Sequence, residues 1–526
     1  MHRLVACSMN TNQVRICIPV CERVLNELAQ AITRAARAAE IIEIRLDCLA
    51  DPEFELRQIA ALVRSLEQPV IMTFRPAEQG GQRDADYPSR LQFWNTYRHL
   101  FTEEFLDIEL DLAQGFASTP LLDWNRVICS HHDFAGVPAD IKQVYERMAH
   151  TPAGVLKIAV QANDITDCIP LFHLLDRARN EGREMIAIAI GWAGIATRIL
   201  GPSRGAFLTY GALEADKATA PGQVTAKELR DLYRIQRITY DTEIIGLVGL
   251  PVTHSFSPHI HNAAFEAAGV NAVYIPFEVR DLTAFIKRMA HPRTRELDWN
   301  LRGLSVTAPH KSAVIDYLDW IEPSAKEIGA VNTIVIEDQA MHGYNTDATA
   351  ALKPVIERLG QIRDARCALI GAGGAASAVL WSLKNEGVKT TLFARDQGKG
   401  NALAEKFGAG CELLDRARFK DFDFVINATT LGTRGPFERE TAATAVQLRG
   451  ARLAYDLVYN PCETQFLREA REAGCDTIGG LTMLVLQAVE QFRLWTGAES
   501  PTEVMREAAS LAVSATTEMA NRDQNN

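Results

Sequence analysis

The chain has 526 residues, of which 47% are hydrophobic and 23% are charged, and its formal net charge is -11 at pH 7. This length exceeds what one ordinary hydrophobic core supports, and it predicts two domains of about 230 to 280 residues each. The negative charge argues against nucleic acid or an anionic membrane as a partner, and no apolar stretch has the length of a membrane span.

The ten cysteines have no metal-ligand spacing, and most of them lie in apolar runs. We therefore expect buried free thiols in a reducing compartment rather than disulfides, and no metal site. The first ten residues, Met1–Asn10, lack the apolar core of a signal peptide, which predicts a cytoplasmic location.

Short β-branched runs alternate with helical stretches in the first half of the chain. Eight such strand-then-helix units over about 215 residues predict a closed parallel (β/α)8 barrel. An open doubly wound sheet is the alternative, but no Gly-rich phosphate turn follows any of these strands. The predicted strands are Arg15–Val20, Ile41–Leu49, Pro69–Arg75, Phe105–Leu110, Arg126–Phe134, Gly154–Val160, Glu184–Gly191 and Ala206–Leu213, and two of the predicted helices are Val24–Ala39 and Asp140–His150.

Charged side chains lie within these strands and directly after them. Glu43, Arg45 and Asp47 alternate along the second strand, so we expect all three to point to one face. A charge inside an apolar strand costs several kcal/mol unless it is paired or functional. The further residues of this kind are Arg75, Asp107, Glu109, His132, Lys157 and Arg198, of which Asp107 and Glu109 either balance the arginines or act in a site.

Lys157 lies in the sixth strand, between Val155-Leu156 and Ile158-Ala159-Val160. One interpretation is a satisfied buried ion pair. The other is a lysine whose pKa is lowered by burial and nearby cations, which leaves a neutral amine able to attack a ketone. The residues by themselves leave both open.

Several of these patterns occur in an order that resembles type I 3-dehydroquinate dehydratase over about residues 12–235. They are Glu43-Ile-Arg45-Leu-Asp47, Thr73-Phe-Arg75, His131-His132-Asp133-Phe134, Lys157-Ile-Ala and Ala220-Pro-Gly-Gln223. The resemblance implies that Lys157 forms an imine with the substrate ketone and that His132, rather than His131, moves the proton during loss of water. It also implies that the substrate is bound by Glu43, Arg45, Arg75, Arg198, Thr219 and Gln223.

One position departs from this family. Members usually carry a glutamate four residues after the third-strand arginine, where it orients the histidine, and this chain has Gln79 there with Glu78 before it. Either Glu78 takes the role through a shift of the loop, or the neutral amide of Gln79 orients His132. The segment Pro76–Pro88 is predicted to be a lid over the barrel.

The junction between the halves is short. Thr225–Arg237 predicts one amphipathic helix, and the apolar strand Ile244–Leu250 follows. We place the domain boundary so that the first domain is 1–238 and the second is 239–526.

The second half begins with two hydroxyls before a helix. Ser255 and Ser257 precede a predicted helix that starts at Pro258. Such hydroxyls either bind a carboxylate together with the helix N-terminus or only cap the helix.

A Gly-rich turn marks a dinucleotide site. The strand Cys367–Ile370 opens into Gly371-Ala-Gly373-Gly374-Ala-Ala376, a helix follows, and a second strand, Thr390–Ala394, comes about 20 residues on. Arg395 and Lys399 stand near the end of that strand, where an acidic residue would bind the ribose of NAD, so NADP is favoured. Asp396 is an acidic residue one position beyond the place expected for the ribose-binding group, and it argues for NAD instead.

The second half resembles shikimate dehydrogenase over about residues 244–519. The matching motifs are His254-Ser255-Phe-Ser257-Pro258, Lys311, Asn332-Thr333, Asn345-Thr-Asp347, Asn427-Ala-Thr429, Asp456-Leu-Val-Tyr459-Asn-Pro461 and Gly480-Leu-Thr-Met483-Leu-Val-Leu-Gln487. The resemblance implies that Lys311 and Asp347 form the catalytic pair, which protonates a carbonyl oxygen as hydride reaches its carbon. Ser305 stands where single-enzyme bacterial members have asparagine, a form that resembles the fused plant-type proteins.

The same resemblance implies the remaining site residues. Substrate binding falls to Ser255, Ser257, Ser305, Thr307, Asn332, Tyr459 and Gln487. Cofactor binding falls to Gly371, Ala372, Gly373, Gly374, Ala375, Arg395, Lys399, Asn427, Thr429 and Gly480. It also implies a substrate lobe of 244–348 plus 480–519, with a Rossmann NADP-binding lobe of 349–479 inserted.

The two resemblances together imply successive steps of the shikimate pathway. The first half would dehydrate 3-dehydroquinate to 3-dehydroshikimate, and the second would reduce that product to shikimate with NADPH. The alternatives are a quinate or shikimate catabolic dehydrogenase with a dehydratase, and a non-catalytic regulator that senses the pathway. The presence of Lys157, His132, Lys311 and Asp347 argues against the regulator.

Overall fold

The computed structural model of the chain describes residues 14–117, 122–220 and 222–523. Within them the chain forms two compact units. The first holds residues up to Thr242 together with Phe277–Met289 and Glu296–Trp299, and the second holds the rest. The segment Met1–Asn10, on which the prediction about a signal peptide rests, lies outside the described residues. Cys7 belongs to this segment, and Pro221 is also outside the described residues.

In the described part of the chain, the first unit contains eight parallel strands in the order β7-β6-β5-β4-β3-β2-β1-β8. An isolated parallel bridge between Met185 and Ala206 connects β7 with the segment before β8, so the sheet closes on itself. The strands are β1 (Ile16–Val20), β2 (Ile41–Arg45), β3 (Val70–Thr73), β4 (Phe105–Glu109), β5 (Val127–Asp133), β6 (Val155–Gln161), β7 (Glu184–Ile190) and β8 (Thr209–Tyr210). The helices between them are α1 (Leu25–Ala35), α2 (Pro52–Val63), α3 (Tyr87–Tyr97), α4 (Leu110–Phe116), α5 (Ile141–Ala149), α6 (Ile169–Asn180) and α7 (Ile195–Leu200). The predicted barrel is confirmed.

The interior of the barrel has an apolar layer below a polar one. The apolar cluster contains Cys17, Ile41, Ile71, Phe105, Ile128, Val155 and Ile186. Glu43, Asp107 and Lys157 come two residues later on β2, β4 and β6, so they share the interior face. The polar residues are therefore concentrated toward the carboxyl ends of the strands.

Among the strands predicted for the barrel, β2 and β8 are shortened the most. β2 ends at Arg45, and Asp47 lies in the 3-10 turn Leu46–Cys48, so the expectation that it continues the alternation of β2 is wrong. Asp47 nevertheless pairs with Arg45, because the tight turn brings the two side chains together. β8 has only two residues, since Ala206 bridges to Met185 and Ala212 to Thr225 rather than extending the pairing with β1.

The expectation that the cysteines are free is wrong for one pair. Cys21 and Cys48 form a disulfide with a Cα–Cα distance of 5.4 Å. Cys21 follows β1 and Cys48 ends the turn after β2, and these strands are parallel neighbours, so their carboxyl ends bring the two thiols together. The other described cysteines are free.

The segment predicted as a lid is attached to the turn that follows β2. It contains the 3-10 turn Ala77–Gln79 and ends where α3 begins. The backbone N–H of Gln82 donates to Asp47 Oδ2 at 2.9 Å, and Arg83 donates to the carbonyls of Leu49 and Ala50. Its motion as a lid stays a prediction.

The single helix predicted for Thr225–Arg237 is wrong. A π-helical turn covers Glu228–Leu232, and a separate 3-10 turn covers Ile235–Arg237. Arg234 between them has a φ of 49°, in the left-handed region, which no residue of a continuous right-handed helix adopts.

The second half of the chain, as far as it is described, contains two six-stranded sheets, with the orders β10-β9-β11-β13-β14-β12 and β17-β16-β15-β18-β19-β20. The strands of the first are β9 (Glu243–Gly249), β10 (Ala272–Glu278), β11 (Leu301–Val306), β12 (Trp320–Ile321), β13 (Thr333–Glu337) and β14 (Ala340–Tyr344). Those of the second are β15 (Arg366–Ile370), β16 (Lys389–Ala394), β17 (Gly410–Leu413), β18 (Phe424–Asn427), β19 (Leu453–Asp456) and β20 (Asp476–Ile478). The second sheet is parallel and has the strand order of a Rossmann fold. The predicted Rossmann lobe is confirmed.

Helices cover both sheets, and the C-terminal pair returns to the first. They are α8 (Ser257–Ala267), α9 (Leu282–Phe285), α10 (Pro323–Ile328), α11 (Thr346–Ala351), α12 (Lys353–Leu359), α13 (Gly374–Asn385), α14 (Gln397–Phe407), α15 (Ala445–Leu448), α16 (Gln465–Glu472), α17 (Leu481–Thr496) and α18 (Thr502–Asp523). Phe265 of α8 packs in one cluster with Phe492 of α17 and Met505 of α18. None of the described helices combines the length and apolarity needed to cross a membrane.

Candidate active sites

The amine of Lys157 is enclosed in the barrel and has three partners. Its Nζ lies 2.8 Å from Asp107 Oδ2, 2.9 Å from the Tyr210 hydroxyl and 3.5 Å from Glu43 Oε1. The expectation of nearby cations is wrong for its direct contacts, because the charged groups that touch it are carboxylates. Arg75 instead binds the other oxygen of Asp107 at 2.7 Å. The buried ion pair of the first interpretation is present, and it does not exclude the second.

Arg75 organises the carboxylates of β4. Its guanidinium also donates to Glu109 Oε1 at 2.7 Å and to Ser130 Oγ at 2.8 Å. Burial opposes ionisation of Asp107, but Arg75 and then Lys157 outweigh it and lower the pKa of this carboxyl below its ordinary value. Asp107 is thus a fixed anion between Arg75 and Lys157, whereas the ion pairs of Glu109 are with Arg75 and Arg90, as the balancing role predicts.

Arg45 and Asp47 form a second ion pair at the same end of the barrel. Arg45 donates to both oxygens of Asp47, at 2.9 and 2.7 Å. Asp47 also accepts from the backbone N–H of Arg75 at 3.3 Å and of Gln82 at 2.9 Å. A single carboxylate therefore connects Arg45, the end of β3 and the predicted lid.

Neither Glu78 nor Gln79 contacts the imidazole of His132. Gln79 Oε1 accepts from the backbone N–H of His132 at 3.3 Å, and Glu78 lies 3.8 Å from Arg90 with its side chain 69% exposed. Nδ1 of His132 is buried and has no hydrogen-bond partner in the described ranges. Burial lowers the pKa of His132 well below its ordinary value, and the charges of Arg75 and Lys157 lower it further. The ring is therefore neutral near pH 7 and can accept a proton.

Arg198 lies on α7 as an enclosed guanidinium without a carboxylate partner among the described residues. Burial lowers its pKa to about 10, so it stays charged at neutral pH. Its contact within the chain is with the carbonyl of Tyr210 at 3.5 Å, and Nε has no partner in the part of the chain that the structure describes. An unpaired buried cation of this kind fits a ligand carboxylate.

Thr219 and Gln223 are bonded to each other, since Gln223 Oε1 accepts from the backbone N–H of Thr219 at 2.9 Å and from its hydroxyl at 3.3 Å. No described hydrogen bond joins this pair to Lys157. The structure therefore connects Lys157 directly to Glu43, and to Arg75 through Asp107, and leaves the loop pair separate.

The second site centres on Lys311 and Asp347. Lys311 Nζ donates to Asp347 Oδ2 at 2.5 Å, and Asn332 Nδ2 donates to the other oxygen at 2.9 Å. Asp347 lies in the first turn of α11, where the side chain of Asn345 caps the helix by accepting from Ala348 N–H. This arrangement is suited to proton transfer at a substrate oxygen.

The two serines before α8 lie beside Tyr459. Ser255 Oγ accepts from the backbone N–H of Ser257, the first residue of α8, at 3.2 Å. The Ser255 hydroxyl also interacts with Tyr459, which lies in the segment after β19. Asn460 Nδ2 donates to the carbonyl of His254 at 3.0 Å, which attaches that segment to the serine turn.

Two residues that interact with Ser305 were not predicted from the sequence. Gln491 Oε1 accepts from Ser305 Oγ at 3.1 Å, and its amide donates to Thr333 Oγ1 at 2.9 Å. Tyr274 on β10 is fully enclosed and interacts with Ser305 and Ser257, and its hydroxyl makes no regular hydrogen bond within the described residues. The signal for Tyr274 was a polar aromatic residue inside an apolar strand, which needs a partner for its hydroxyl.

Thr307 and Gln487, two other predicted substrate residues of this half, are not bonded to the catalytic pair in the described part of the chain. Thr307 follows β11, and its backbone N–H donates to Val248. The amide of Gln487 donates to the carbonyl of Leu484 in its own helix at 2.8 Å. Their side chains form no hydrogen bond with Lys311 or Asp347 within the described residues.

The Gly-rich turn lies directly against the catalytic pair. Gly371 has a φ of 117°, and a Cβ there would come within 3.0 Å of the carbonyl of Ala428, so the position requires glycine. Gly373 precedes α13, whose first N–H groups are free to bind a phosphate. A Cβ on Gly374 would lie 3.4 Å from Cβ of Lys311, which places the turn beside the lysine. These residues, with Ala372 and Ala375, fit a dinucleotide.

The residues after β16 account for the position of Asp396. Its carboxylate caps α14 by accepting from the backbone N–H of Lys399 at 3.1 Å. The side chains of Arg395 and Lys399 are exposed at the same place. The carboxylate of Asp396, which argued for NAD, therefore has a structural role as the cap of α14.

Three other predicted cofactor residues, Asn427, Thr429 and Gly480, have structural roles here. Asn427 Nδ2 donates to Asp456 Oδ1 at 2.9 Å, and its Oδ1 accepts from Thr429 N–H at 3.0 Å and Thr429 Oγ1 at 2.7 Å. A Cβ on Gly480 would lie 2.4 Å from the carbonyl of Leu457, so a side chain there would force the start of α17 away. Direct contact of these residues with a cofactor stays a prediction.

The fold and the two sites define a class of protein in which a barrel lyase is fused to a dinucleotide-dependent reductase. Family models agree: type I 3-dehydroquinase matches residues 16–240, the shikimate dehydrogenase substrate binding domain matches 247–334, and the shikimate 5'-dehydrogenase C-terminal domain matches 480–509. The chain is 33% identical over 519 residues to the chloroplastic bifunctional 3-dehydroquinate dehydratase/shikimate dehydrogenase of Arabidopsis thaliana, covering 94% of this chain and 84% of that one. It belongs to this family of bifunctional 3-dehydroquinate dehydratase/shikimate dehydrogenases.

The second half has single-enzyme relatives. Over 282 residues it is 41% identical to the shikimate dehydrogenase (NADP(+)) of Moorella thermoacetica, which covers 51% of this chain and 93% of that protein. A crystal structure of a shikimate dehydrogenase in complex with NADP+ aligns with a TM-score of 0.48 and 38% identity, over 52% of this chain and 97% of the other.

Proposed function

We propose that this chain catalyses two successive reactions, dehydration of 3-dehydroquinate in the barrel and NADPH-dependent reduction of 3-dehydroshikimate to shikimate in the second half. The observation that carries the proposal is the presence in one chain of the enclosed Lys157 cluster and of the Lys311–Asp347 pair. The comparisons do not favour the catabolic or regulatory alternatives. The test is to supply 3-dehydroquinate with NADPH and identify the product. Shikimate supports the proposal, and an absence of both NADPH consumption and 3-dehydroshikimate contradicts it. A cytoplasmic location is part of this proposal.

In the barrel, the Lys157 amine attacks the carbonyl carbon of the substrate, the oxygen of that carbonyl leaves as water, and a C=N bond, the imine, forms. The protonated imine nitrogen draws electrons from the adjacent carbon, so a weak base suffices to remove its proton. His132 takes that proton with its neutral ring and returns one to the leaving hydroxyl group. Arg198, an enclosed cation without a carboxylate partner in the described residues, binds the substrate carboxylate.

The lowered pKa of His132 predicts how dehydration depends on pH. A base must be unprotonated, so lowering its pKa keeps it active as the pH falls. The ordinary pKa of histidine is 6.5. We expect kcat/KM for 3-dehydroquinate to be still constant at that pH and to fall only at a pH well below it. His132→Asn removes the base and the activity, whereas the matched variant His131→Asn retains most of it. A midpoint at or above 6.5 in the wild-type profile would contradict this assignment.

In the second half, Lys311 holds the proton for the carbonyl oxygen of 3-dehydroshikimate. Asp347 orients the lysine, and Asn332 fixes Asp347. Ser255 and Ser257 bind the substrate carboxylate at the start of α8. When bound along the Gly-rich turn, NADPH supplies the hydride. The position of Gly374 next to Lys311 supports a cofactor held beside the proton donor.

Arg395 is expected to carry the preference for NADPH. Its exposed guanidinium follows β16, where it can pair with the 2'-phosphate in two hydrogen bonds. Arg395→Ala should raise the KM for NADPH about 10- to 100-fold and change the KM for NADH by less than about twofold. Lys389→Ala, at the opposite end of β16, is the control and should change neither. Equal losses with both cofactors would show that Arg395 is structural.

A further inference from the structure

The third partner of Lys157 is Tyr210, to which the family resemblance assigns no role. Tyr210 lies on β8 and is 6% exposed, with its hydroxyl 2.9 Å from Nζ of Lys157. The amine also lies 4.7 Å from the centre of the tyrosine ring. The aromatic ring and its hydroxyl therefore both contact the amine that the proposed function uses.

The three partners of Nζ differ in what they can do. An ammonium has three N–H donors; Asp107 and Tyr210 each accept one of them, and Glu43 forms an ion pair with it at 3.5 Å. An ionised carboxylate only accepts, whereas a hydroxyl both accepts and donates. When the lysine loses a proton, its nitrogen gains a lone pair that a carboxylate cannot bind. The tyrosine hydroxyl can rotate about its C–O bond and donate a hydrogen bond to this lone pair.

The position of Tyr210 is fixed on both sides. Cys17 of β1 is its partner in the barrel sheet, and the carbonyl of Cys17 accepts from the next backbone N–H, that of Gly211. The carbonyl of Tyr210 faces Nη1 of Arg198 at 3.5 Å. One residue thus contacts both the amine that attacks the ketone and the cation proposed for the substrate carboxylate. Burial and then the nearby charge of Glu43 raise the pKa of Tyr210 well above its ordinary value, so the phenol keeps its proton.

We propose that Tyr210 is a positioning residue for imine formation, whose hydroxyl holds Nζ of Lys157 in both the charged and the neutral state. The inference rests on the proposed dehydratase function. As Nζ bonds to the carbonyl carbon, the π electron pair moves to the oxygen, which takes up a proton, and the nitrogen loses one. The C–O bond then breaks with a second proton added to the oxygen, water leaves, and the nitrogen lone pair forms the C=N bond. Tyr210 begins and ends this sequence as a neutral phenol.

The test uses the full-length chain with Tyr210→Phe, which removes one oxygen and keeps the ring. We expect kcat for dehydration to fall about 10- to 100-fold, with KM changed by less than about twofold, because the hydroxyl acts on the lysine and not on substrate binding. The rate at which borohydride traps 3-dehydroshikimate on Lys157 should fall by a similar factor. Tyr145→Phe on α5 removes a hydroxyl that bonds to Glu181, and it should leave both rates unchanged.

Reductase activity of the same preparations reports on folding. A wild-type trapping rate and kcat for Tyr210→Phe would overturn the proposal, as would a rise in KM at constant kcat, which would make Tyr210 a substrate contact. If borohydride traps nothing on Lys157 in the wild-type chain, the proposed dehydratase mechanism fails, and the role of Tyr210 fails with it. If borohydride traps substrate on Lys157 in the wild-type chain, and Tyr210→Phe slows this trapping while Tyr145→Phe does not, the result supports both the dehydratase mechanism and the role of Tyr210.

Discussion

Lys157→Ala is expected to abolish dehydration of 3-dehydroquinate while reduction of 3-dehydroshikimate continues within about twofold of the wild-type rate. Without the amine no imine forms, and the covalent route that splits the difficult step into easier ones is lost. The expected loss is at least about 10⁴-fold in kcat, or about 5.4 kcal/mol of barrier. The measurement is the appearance of 3-dehydroshikimate, with NADPH oxidation assayed separately.

The control for this variant is Lys142→Ala, which removes an exposed lysine from α5 of the same barrel. It should leave both activities unchanged. In the wild-type chain, borohydride added during turnover should attach substrate to Lys157, since reduction converts an imine to a stable amine. A mass increase that maps to another lysine would show that the barrel site has been assigned to the wrong residue.

Lys311→Ala is expected to have the second large effect, a fall of about 10²- to 10⁴-fold in kcat for 3-dehydroshikimate reduction. The lysine supplies the proton to the carbonyl oxygen, and Asp347 then lacks the partner that lies 2.5 Å away. Dehydration should be unaffected, so a reaction started with 3-dehydroquinate and NADPH should stop at 3-dehydroshikimate. Chromatography of the products distinguishes this from a general loss of activity.

Lys326→Ala on α10 is the matched control, because this lysine is exposed. It should convert 3-dehydroquinate to shikimate at the wild-type rate. Retention of reduction by Lys311→Ala would mean that another group protonates the substrate oxygen, and Asp347→Asn would then be the variant to compare.

The sequence predicted those parts of the fold that depend on local patterns. Apolar β-branched runs form strands because both faces of a barrel strand are buried, and all eight predicted strands of the first half are present. The Gly-rich turn was predictable because Gly371 and the start of α13 belong to one short segment. The ends of the strands were predicted less accurately. Hydrogen-bond partners from distant segments decide where strand pairing stops, as at β8.

The candidate sites were predictable as a set of residues but not as a set of contacts. The partners of Lys157 come from β2, β4 and β8, and the closure of the barrel brings them together. The same reason explains the disulfide between Cys21 and Cys48, whose chain separation of 27 residues gave no signal. Gln79 could be recognised as a departure from the family, yet its bond to the backbone of His132 depends on the path of the loop.

By itself, then, the sequence determined the barrel, the Rossmann lobe and the residues able to perform the chemistry, because periodicity and short motifs are encoded over a few neighbouring residues. Only the tertiary structure decided that carboxylates rather than cations surround Lys157, that Asp396 caps a helix, and that Tyr210 and Gln491 enter the sites. Those outcomes depend on the distance between groups that are far apart in the chain. Packing of complete strands and helices sets that distance, and no local pattern records it.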